Sequence, residues 1–242
     1  HILCLFPFEP ELYHAKGIDA TYVGHPLADT IPLEVPRQAA RQKLGLPESA
    51  SVVAVLPGSR RGEIRFIAPT FLQAVAKLAQ QRPELRFVLP VVSGVKDMLL
   101  PMMAEHAPGV QIDVLEGQSH DALAACDVTL IASGTATLEA ALFKRPMVIS
   151  YKVSGLSYQL MKRMGYLPWV GLPNILLRDF VVPERLQHEA TPEQLAKDVL
   201  AWLDQPARAS AVEQRFLELH HLLRRNTAQA ATDAIAQVIQ KR

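Results

Sequence analysis

The sequence predicts an α/β fold with a Rossmann-like, doubly wound parallel sheet. Short apolar runs alternate with amphipathic stretches, a pattern typical of buried parallel strands that are covered by helices on both faces. In the longest amphipathic stretch, apolar residues recur at three- and four-residue steps from Ile64 to Leu78. This spacing places one apolar stripe of a helix against the sheet.

The strands are predicted where apolar and β-branched residues form short runs between turn residues. These runs are Ile2–Phe6, Thr21–Val23, Val52–Leu56, Phe87–Val91, Ile112–Leu115, Val128–Ala132 and Met147–Tyr151. After Tyr151 the strand signals end. The later segments Pro192–Leu203, Ala207–Leu223 and Thr227–Gln240 are predicted as helices.

Residues 26–36 are predicted to be a linker without regular structure, because three prolines fall between Pro26 and Pro36. The linker would separate a strand–helix–strand remnant at residues 1–25 from a complete α/β unit at residues 37–223. The chain opens on His1 directly before an apolar run. We therefore expect a fragment that lacks most of a preceding lobe.

Composition narrows the class of function. The chain has 242 residues, 49% of them hydrophobic, and a formal charge of +1, which predicts one large core and argues against a dedicated nucleic-acid binder. Cys4 and Cys126 lack metal-ligand spacing, so a reducing cytosol is the simplest compartment. No apolar run approaches the roughly 20 residues of a membrane span, so we expect any membrane contact to be peripheral.

The first candidate binding residues follow the run Val52–Leu56 in the turn Pro57-Gly58-Ser59-Arg60. A helix that begins there directs free backbone N–H groups at an anion, and a glycine lets a phosphate approach closely. Arg60 would add charge-assisted hydrogen bonds. Alternatively, Gly58 and Ser59 only form a turn and a helix cap while Arg60 is solvated.

The second candidate group follows the run Val128–Ala132, where Ser133-Gly134-Thr135 leads into a helix with Glu139 in its early turns. Ligands of doubly wound folds bind at the carboxyl ends of the strands. A carboxylate there can accept hydrogen bonds from both ribose hydroxyls, while the turn binds phosphate oxygens. Alternatively, Ser133 and Thr135 are caps and Glu139 is a favourable first-turn anion.

These turns belong to a larger set of motifs that resembles the lipid-A-disaccharide synthase family. In chain order the motifs are Gly24-His25-Pro26-Leu27-Ala28-Asp29, Leu56-Pro57-Gly58-Ser59-Arg60, Ala132-Ser133-Gly134-Thr135-Ala136-Thr137-Leu138-Glu139, Leu172-Pro173-Asn174 and Pro183-Glu184-Arg185-Leu186-Gln187. The resemblance covers almost the whole chain. It implies the C-terminal lobe of a two-lobed GT-B glycosyltransferase.

The resemblance also implies a reaction. A 2,3-diacylglucosamine unit passes from its UDP donor to 2,3-diacylglucosamine 1-phosphate, which forms a β(1→6) disaccharide and releases UDP. The implied partners are these two acylated sugars and the inner face of the bacterial inner membrane, where the enzyme would be cytoplasmic and peripheral. No nucleic acid is implied.

Carried over to this sequence, the resemblance assigns UDP binding to residues in three regions. The first region is Gly58, Ser59 and Arg60 at the diphosphate. The second is Ser133, Gly134 and Thr135 in the same pocket, with Glu139 at the ribose. The third is Asn174 and Gln187, on loops after the last strand. For Gln187, ordinary helix capping is an equal alternative. His25 between Gly24 and Pro26 is interpreted as a hinge residue rather than a catalytic one.

No metal or other cofactor is expected, because the sequence lacks the Asp-x-Asp pair of metal-dependent nucleotide-sugar enzymes. Arg60 and helix N-termini would then offset the charge of the leaving diphosphate. The acceptor hydroxyl needs a general base. The resemblance places this base in the other lobe, so the fragment alone is expected to be inactive.

Two segments suggest contacts outside the nucleotide site. The stretch Leu156–Trp169 mixes apolar, aromatic and basic residues, as either an interfacial helix or a buried helix rimmed by Lys162 and Arg163 would. In related enzymes of this fold the final helix, here within residues 224–242, crosses back to the first lobe. Its apolar residues would otherwise favour self-association.

Two other functions are consistent with the same motifs. A UDP-sugar 2-epimerase uses a similar two-lobed fold with similar nucleotide contacts, although the order of the motifs favours the synthase. A non-catalytic domain that only binds UDP or a UDP-sugar is the other alternative.

Overall fold

The computed structural model describes residues 1–152 and 168–240. Its strands are β1 (Ile2–Cys4), β2 (Ala20–Tyr22), β3 (Val52–Leu56), β4 (Arg86–Val91), β5 (Ile112–Glu116), β6 (Val128–Ala132), β7 (Met147–Tyr151) and β8 (Glu184–Leu186). Its α-helices are α1 (Glu9–His14), α2 (Pro26–Thr30), α3 (Arg37–Lys43), α4 (Arg61–Gln81), α5 (Lys96–His106), α6 (Ser119–Ala125), α7 (Ala136–Leu142), α8 (Leu172–Leu177), α9 (Pro192–Asp204), α10 (Pro206–Leu223) and α11 (Thr227–Gln240).

The main sheet confirms the predicted doubly wound architecture. Its six strands follow the order β5-β4-β3-β6-β7-β8, and every neighbouring pair is parallel. The chain runs outward from β3 to β5 and then returns to the other side of β3. The strand order therefore reverses between β3 and β6, which is where such folds bind ligands.

Helices cover both faces of this sheet. On one side α4 packs against α5 and α9, and α9 contacts β6 and β7. On the other side α6 packs against α3 and contacts β3, β4 and β5. Because both faces are covered, all residues of β3 and β6 are buried, which explains why their sequences are apolar apart from Thr129.

Three strands begin and end where they were predicted, four differ at one or both ends, and one was missed. Strand β1 ends at Cys4 rather than Phe6, and β2 starts one residue early, at Ala20. The prediction that strands end after Tyr151 is wrong, since β8 pairs with β7. Strand β8 is a short edge strand that contains Glu184 and Arg185, so it has no apolar run to identify it.

The predicted irregular linker is also wrong in part, because residues 26–30 form helix α2. Pro26 occupies the first turn of that helix, where a backbone N–H is not needed. His25 caps it, since its Nδ1 accepts a hydrogen bond from the Leu27 N–H at 3.2 Å. The three prolines indicated that regular secondary structure is interrupted here. They did not indicate that one of them starts a helix.

This segment is hydrogen-bonded to the C-terminal helices. The Asp29 carboxylate accepts hydrogen bonds from the backbone N–H of Asn226 at 3.0 Å and of Thr227 at 2.6 Å. The Tyr22 hydroxyl donates to the Leu222 carbonyl at 2.8 Å. Although burial alone would raise the pKa of Asp29, the hydrogen bonds from Thr227 and Asn226 lower it, so the ionised carboxylate caps the start of α11.

A buried Lys144–His220 pair makes a second connection to this segment. The Lys144 Nζ donates to the Pro32 carbonyl at 3.1 Å and contacts His220 Nδ1 at 2.8 Å. His220 Nε2 lies 2.8 Å from the Ala28 carbonyl, which can only accept, so Nε2 carries the hydrogen and Nδ1 accepts from Lys144. Burial lowers the pKa of Lys144 to about 8 and also lowers that of His220.

Most of the predicted interfacial segment Leu156–Trp169 lies outside the described residues. Of its aromatic residues the structure describes Trp169, whose ring lies 6.1 Å from the Phe180 ring. Within residues 1–152 and 168–240, no helix combines the length and the apolar content that crossing a bilayer requires. Membrane contact through this segment stays a prediction.

We predict that Lys144→Met changes how stability depends on pH. Between the folded pKa of about 8 and the ordinary value of 10.5, the unfolded chain binds more protons at this lysine than the folded chain does. The unfolding free energy of the wild type should therefore rise relative to that of the variant across this range. Urea denaturation at several pH values measures the difference. Lys144→Gln, also uncharged, should match Lys144→Met, and parallel curves for wild type and variants would contradict the prediction.

Candidate functional site

A cavity of about 740 Å³ opens at the carboxyl edge of the main sheet, over the point where the strand order reverses. It is lined by Leu56, Gly58, Ser59, Arg60, Glu63, Pro90, Val91, Val92, Gly117, Ser119, Ala132, Ser133, Gly134, Thr135, Ala136, Glu139, Tyr151, Trp169, Val170 and Ile175. The two predicted turns are therefore neighbours, because β3 and β6 pair in parallel with Leu56 opposite Ile131.

The β3–α4 turn presents a helix N-terminus and one arginine to this cavity. Gly58 has a φ of +108°, and a Cβ at this position would lie 3.2 Å from Glu63 Oε2, so the turn requires glycine. Helix α4 begins directly after Arg60. The Arg60 side chain is 84% exposed and contacts Glu63 at 3.0 Å. Such exposed pairs contribute little to stability, so Arg60 can exchange Glu63 for an anionic ligand.

The β6–α7 turn lines the same cavity with hydroxyl groups. The Ser133 hydroxyl donates to the Val170 carbonyl at 3.0 Å, and the Thr137 hydroxyl donates to the Gly134 carbonyl at 2.7 Å. Within the described residues, Thr135 makes no side-chain cap hydrogen bond to α7. Ser133 and Thr135 therefore do not cap α7 with their side chains, as the alternative prediction required. Instead, Ser133 connects β6 to the segment before α8.

Glu139 lies in the first turn of α7 and lines the cavity. Its Oε2 lies 3.0 Å from Nε2 of His120, at the start of α6. His120 was not among the site residues predicted from the sequence. The signal that identified Glu139, a polar residue just after the end of a sheet strand, also applies to His120 after β5.

The predicted positions of Asn174 and Gln187 need correction. Asn174 lies in α8, before β8, and its side chain is fully buried. Its amide nitrogen donates to the Val182 carbonyl at 2.9 Å and to Glu184 at 2.8 Å. Asn174 is thus not among the residues that line the cavity. Gln187 starts a 3₁₀ turn directly after β8 and is also absent from the cavity lining.

Glu184 and Asn174 instead support the cavity from behind. The Glu184 carboxylate accepts hydrogen bonds from the backbone N–H of Val170 and of Gly171, both at 2.9 Å. Gly171 packs so closely that a Cβ would lie 2.3 Å from the Ile149 side chain. Because Val170 lines the cavity and accepts the hydrogen bond from Ser133, this buried network determines the position of both.

The described residues form no group of metal ligands. In the part of the chain that the structure describes, no cluster of three or more His, Cys, Asp or Glu side chains is arranged to hold a metal ion. The two cysteines are buried and unpaired with each other. Burial raises the pKa of Cys126 to about 12, so this thiol stays protonated.

The whole-chain sequence comparison identifies the family. Residues 1–238 match the family model described as lipid-A-disaccharide synthetase. The chain belongs to this family. It is 52% identical over 243 residues to the lipid-A-disaccharide synthase of Verminephrobacter eiseniae, covering 99% of this chain and 62% of that protein. This membership confirms the family resemblance that the motifs indicated.

Solved structures support the fold. WaaG, a glycosyltransferase involved in lipopolysaccharide biosynthesis, aligns with a TM-score of 0.62 and 16% identity over 89% of this chain and 56% of its own. The UDP-GlcNAc 2-epimerase from Neisseria meningitidis, bound to UDP-GlcNAc, aligns with a TM-score of 0.63 and 11% identity over 95% of this chain and 57% of its own. The predicted Rossmann-like α/β fold is confirmed. Identities this low establish no more than the fold.

We predict that Asn174→Ala destabilises the chain. The change removes the side-chain partner of the buried Val182 N–H and carbonyl and one of the three hydrogen bonds to the Glu184 carboxylate, which should lower the free energy of unfolding by about 2–4 kcal/mol. Urea denaturation followed by circular dichroism measures this loss. Gln80→Ala, on the exposed side of α4, is the control and should change stability by less than about 0.5 kcal/mol. Equal stabilities for the two variants would contradict the network described above.

Proposed function

We propose that this chain is the donor-binding lobe of an enzyme that makes the lipid A disaccharide. The enzyme would transfer 2,3-diacylglucosamine from UDP to 2,3-diacylglucosamine 1-phosphate and release UDP. The observation that supports this most is a single cavity shared by the β3–α4 and β6–α7 turns. Family membership supports the same reaction. Because the chain spans 62% of the length of its V. eiseniae relative, the activity of a whole enzyme is proposed rather than assigned.

The cavity offers complementary groups for the parts of UDP. Gly58, Ser59 and the N-terminus of the long helix α4 would bind the diphosphate with Arg60, aided by the turn Ser133–Thr135. Glu139 would accept hydrogen bonds from the ribose hydroxyls. The volume of about 740 Å³ is within the roughly 300–1,000 Å³ typical of small-molecule sites. The binding of a UDP-sugar by the related N. meningitidis epimerase supports this class of ligand.

The proposed chemistry needs positive charge at the leaving group. As the glycosidic bond to the diphosphate breaks, negative charge grows on the departing phosphate oxygen. In this proposal Arg60 and the free N–H groups at the start of α4 lie beside that oxygen and stabilise its charge. The acceptor hydroxyl must lose a proton to a general base, which we place in the part of the relatives' length that this chain does not span.

The domain divisions are proposals as well. Residues 1–25 contain the separate two-stranded sheet β1–β2, and residues 26–36 join it to the lobe at residues 37–223. Within residues 224–240, Ile235 and Ile239 of α11 are 50% and 67% exposed. We propose that this apolar side of α11, with Ala228 and Val238, packs on the first lobe of the complete enzyme. Alone, the chain would self-associate through it, which light scattering tests.

Peripheral contact with the inner face of the inner membrane is proposed from the acylated substrates alone. Trp169 and Tyr166 lie on the segment that sequence analysis selected for this contact. If replacing both left the sedimentation of a complete enzyme with liposomes unchanged, the proposal would be withdrawn.

We predict that this chain binds UDP weakly and that Arg60→Ala lowers the affinity about tenfold or more, since charge-assisted hydrogen bonds to the diphosphate are lost. Titration calorimetry measures both affinities. Arg65→Ala is the matched control, because Arg65 is exposed one turn further along α4 and does not line the cavity. Equal affinity for wild type and Arg60→Ala would contradict the diphosphate assignment.

A further inference from the structure

His120 is held against Glu139 by a directed hydrogen bond. His120 Nε2 lies 3.0 Å from Glu139 Oε2. A carboxylate only accepts hydrogen bonds, so Nε2 carries the hydrogen and donates it. The bond occupies one carboxylate oxygen of a residue that lines the cavity. Among the described residues no hydrogen bond to the other oxygen, Oε1, is found, which leaves Oε1 for a ligand.

The histidine ring is itself constrained by a second contact. Its centroid lies 5.2 Å from that of Phe143, with the planes inclined at 60°, a favourable arrangement for two aromatic rings. Phe143 is buried directly after α7, the helix that carries Glu139. Although the His120 side chain is 47% exposed, it is therefore positioned both by α7 and by the residue that directly follows α7.

This arrangement selects one orientation for a side chain that is otherwise free to rotate. A glutamate has three side-chain torsions, and fixing them only when a ligand arrives would cost conformational entropy. A carboxylate that is oriented beforehand contributes more of its hydrogen-bond energy to binding. The benefit is largest for a ligand group that needs a particular direction, such as the hydroxyls of a ribose.

We propose that His120 is a positioning residue that orients Glu139 for the ribose hydroxyls and so makes the cavity discriminate ribonucleotides from 2′-deoxyribonucleotides. This inference rests on the proposed function, in which Glu139 binds the ribose. It adds a side chain of α6, next to the lining residue Ser119, to the groups that the β3–α4 and β6–α7 turns supply for UDP. The ligand class that this site would select is a nucleoside diphosphate with an intact 2′-hydroxyl.

The test compares UDP with 2′-deoxy-UDP in calorimetric titrations of this chain. His120→Phe keeps a ring against Phe143 and removes the N–H donor. It should weaken UDP binding about fivefold, as expected for one lost hydrogen bond, and leave 2′-deoxy-UDP nearly unchanged. His120→Gln, which restores an N–H near the position of Nε2, should recover most of the preference for UDP.

Glu139→Ala separates this inference from the proposed function. It should abolish the preference for UDP, and adding His120→Phe to it should have no further effect, because the histidine acts through the carboxylate. If wild type does not bind UDP, or if Glu139→Ala keeps the preference, both the ribose assignment and the inference are overturned. If Glu139→Ala loses the preference while His120→Phe keeps the wild-type ratio, only the role of His120 is overturned, and its bond merely connects α6 to α7.

Discussion

Parallel pairing of β3 with β6 is the constraint on which the remaining features depend. These strands lie far apart in the sequence, but their hydrogen-bonded register places the ends of both at one edge of the sheet. The turn with Arg60 and the turn with Ser133 consequently open into one cavity. Each turn alone would be an ordinary strand-to-helix connection. Their adjacency at the reversal of strand order creates a site with cationic, hydroxyl and carboxylate groups.

The buried polar network beneath the cavity performs a different task from the groups that face it. Glu184 and Asn174 satisfy backbone groups of Val170, Gly171 and Val182, which lie before and after helix α8. A buried carboxylate in this position is stable only because it accepts several hydrogen bonds. Removing one partner would leave others unsatisfied, so the network behaves as a unit. The cavity therefore depends on residues that a ligand never touches.

Much of the fold could be predicted from the sequence, for physical reasons that also explain the failures. Strands β3, β6 and β7 are buried on both faces, so their apolar runs marked their ends correctly. Strand β8 lies at the edge and needs no such run. Of the candidate site, Arg60, Ser133 and Glu139 follow strand ends and were predicted to lie together, as the structure places them.

Asn174 and His120 show what the sequence could not supply. A polar residue after an apolar run is predicted to be exposed. Asn174 is buried instead, because Val182 and Glu184 provide its hydrogen-bond partners. His120 gains its importance only from Glu139, on a different helix. Whether such partners meet depends on how helices pack, which periodicity does not encode.

Hydrogen bonds of Tyr22 and Asp29 with residues 222–227 join the N-terminal part of the chain to its C-terminal helices. If α10 and α11 unfolded at this end, α11 would lose its cap, Asp29, and α2 would lose the same hydrogen bonds. We therefore expect the two segments to unfold together despite their separation along the chain, so that loosening either one weakens the other.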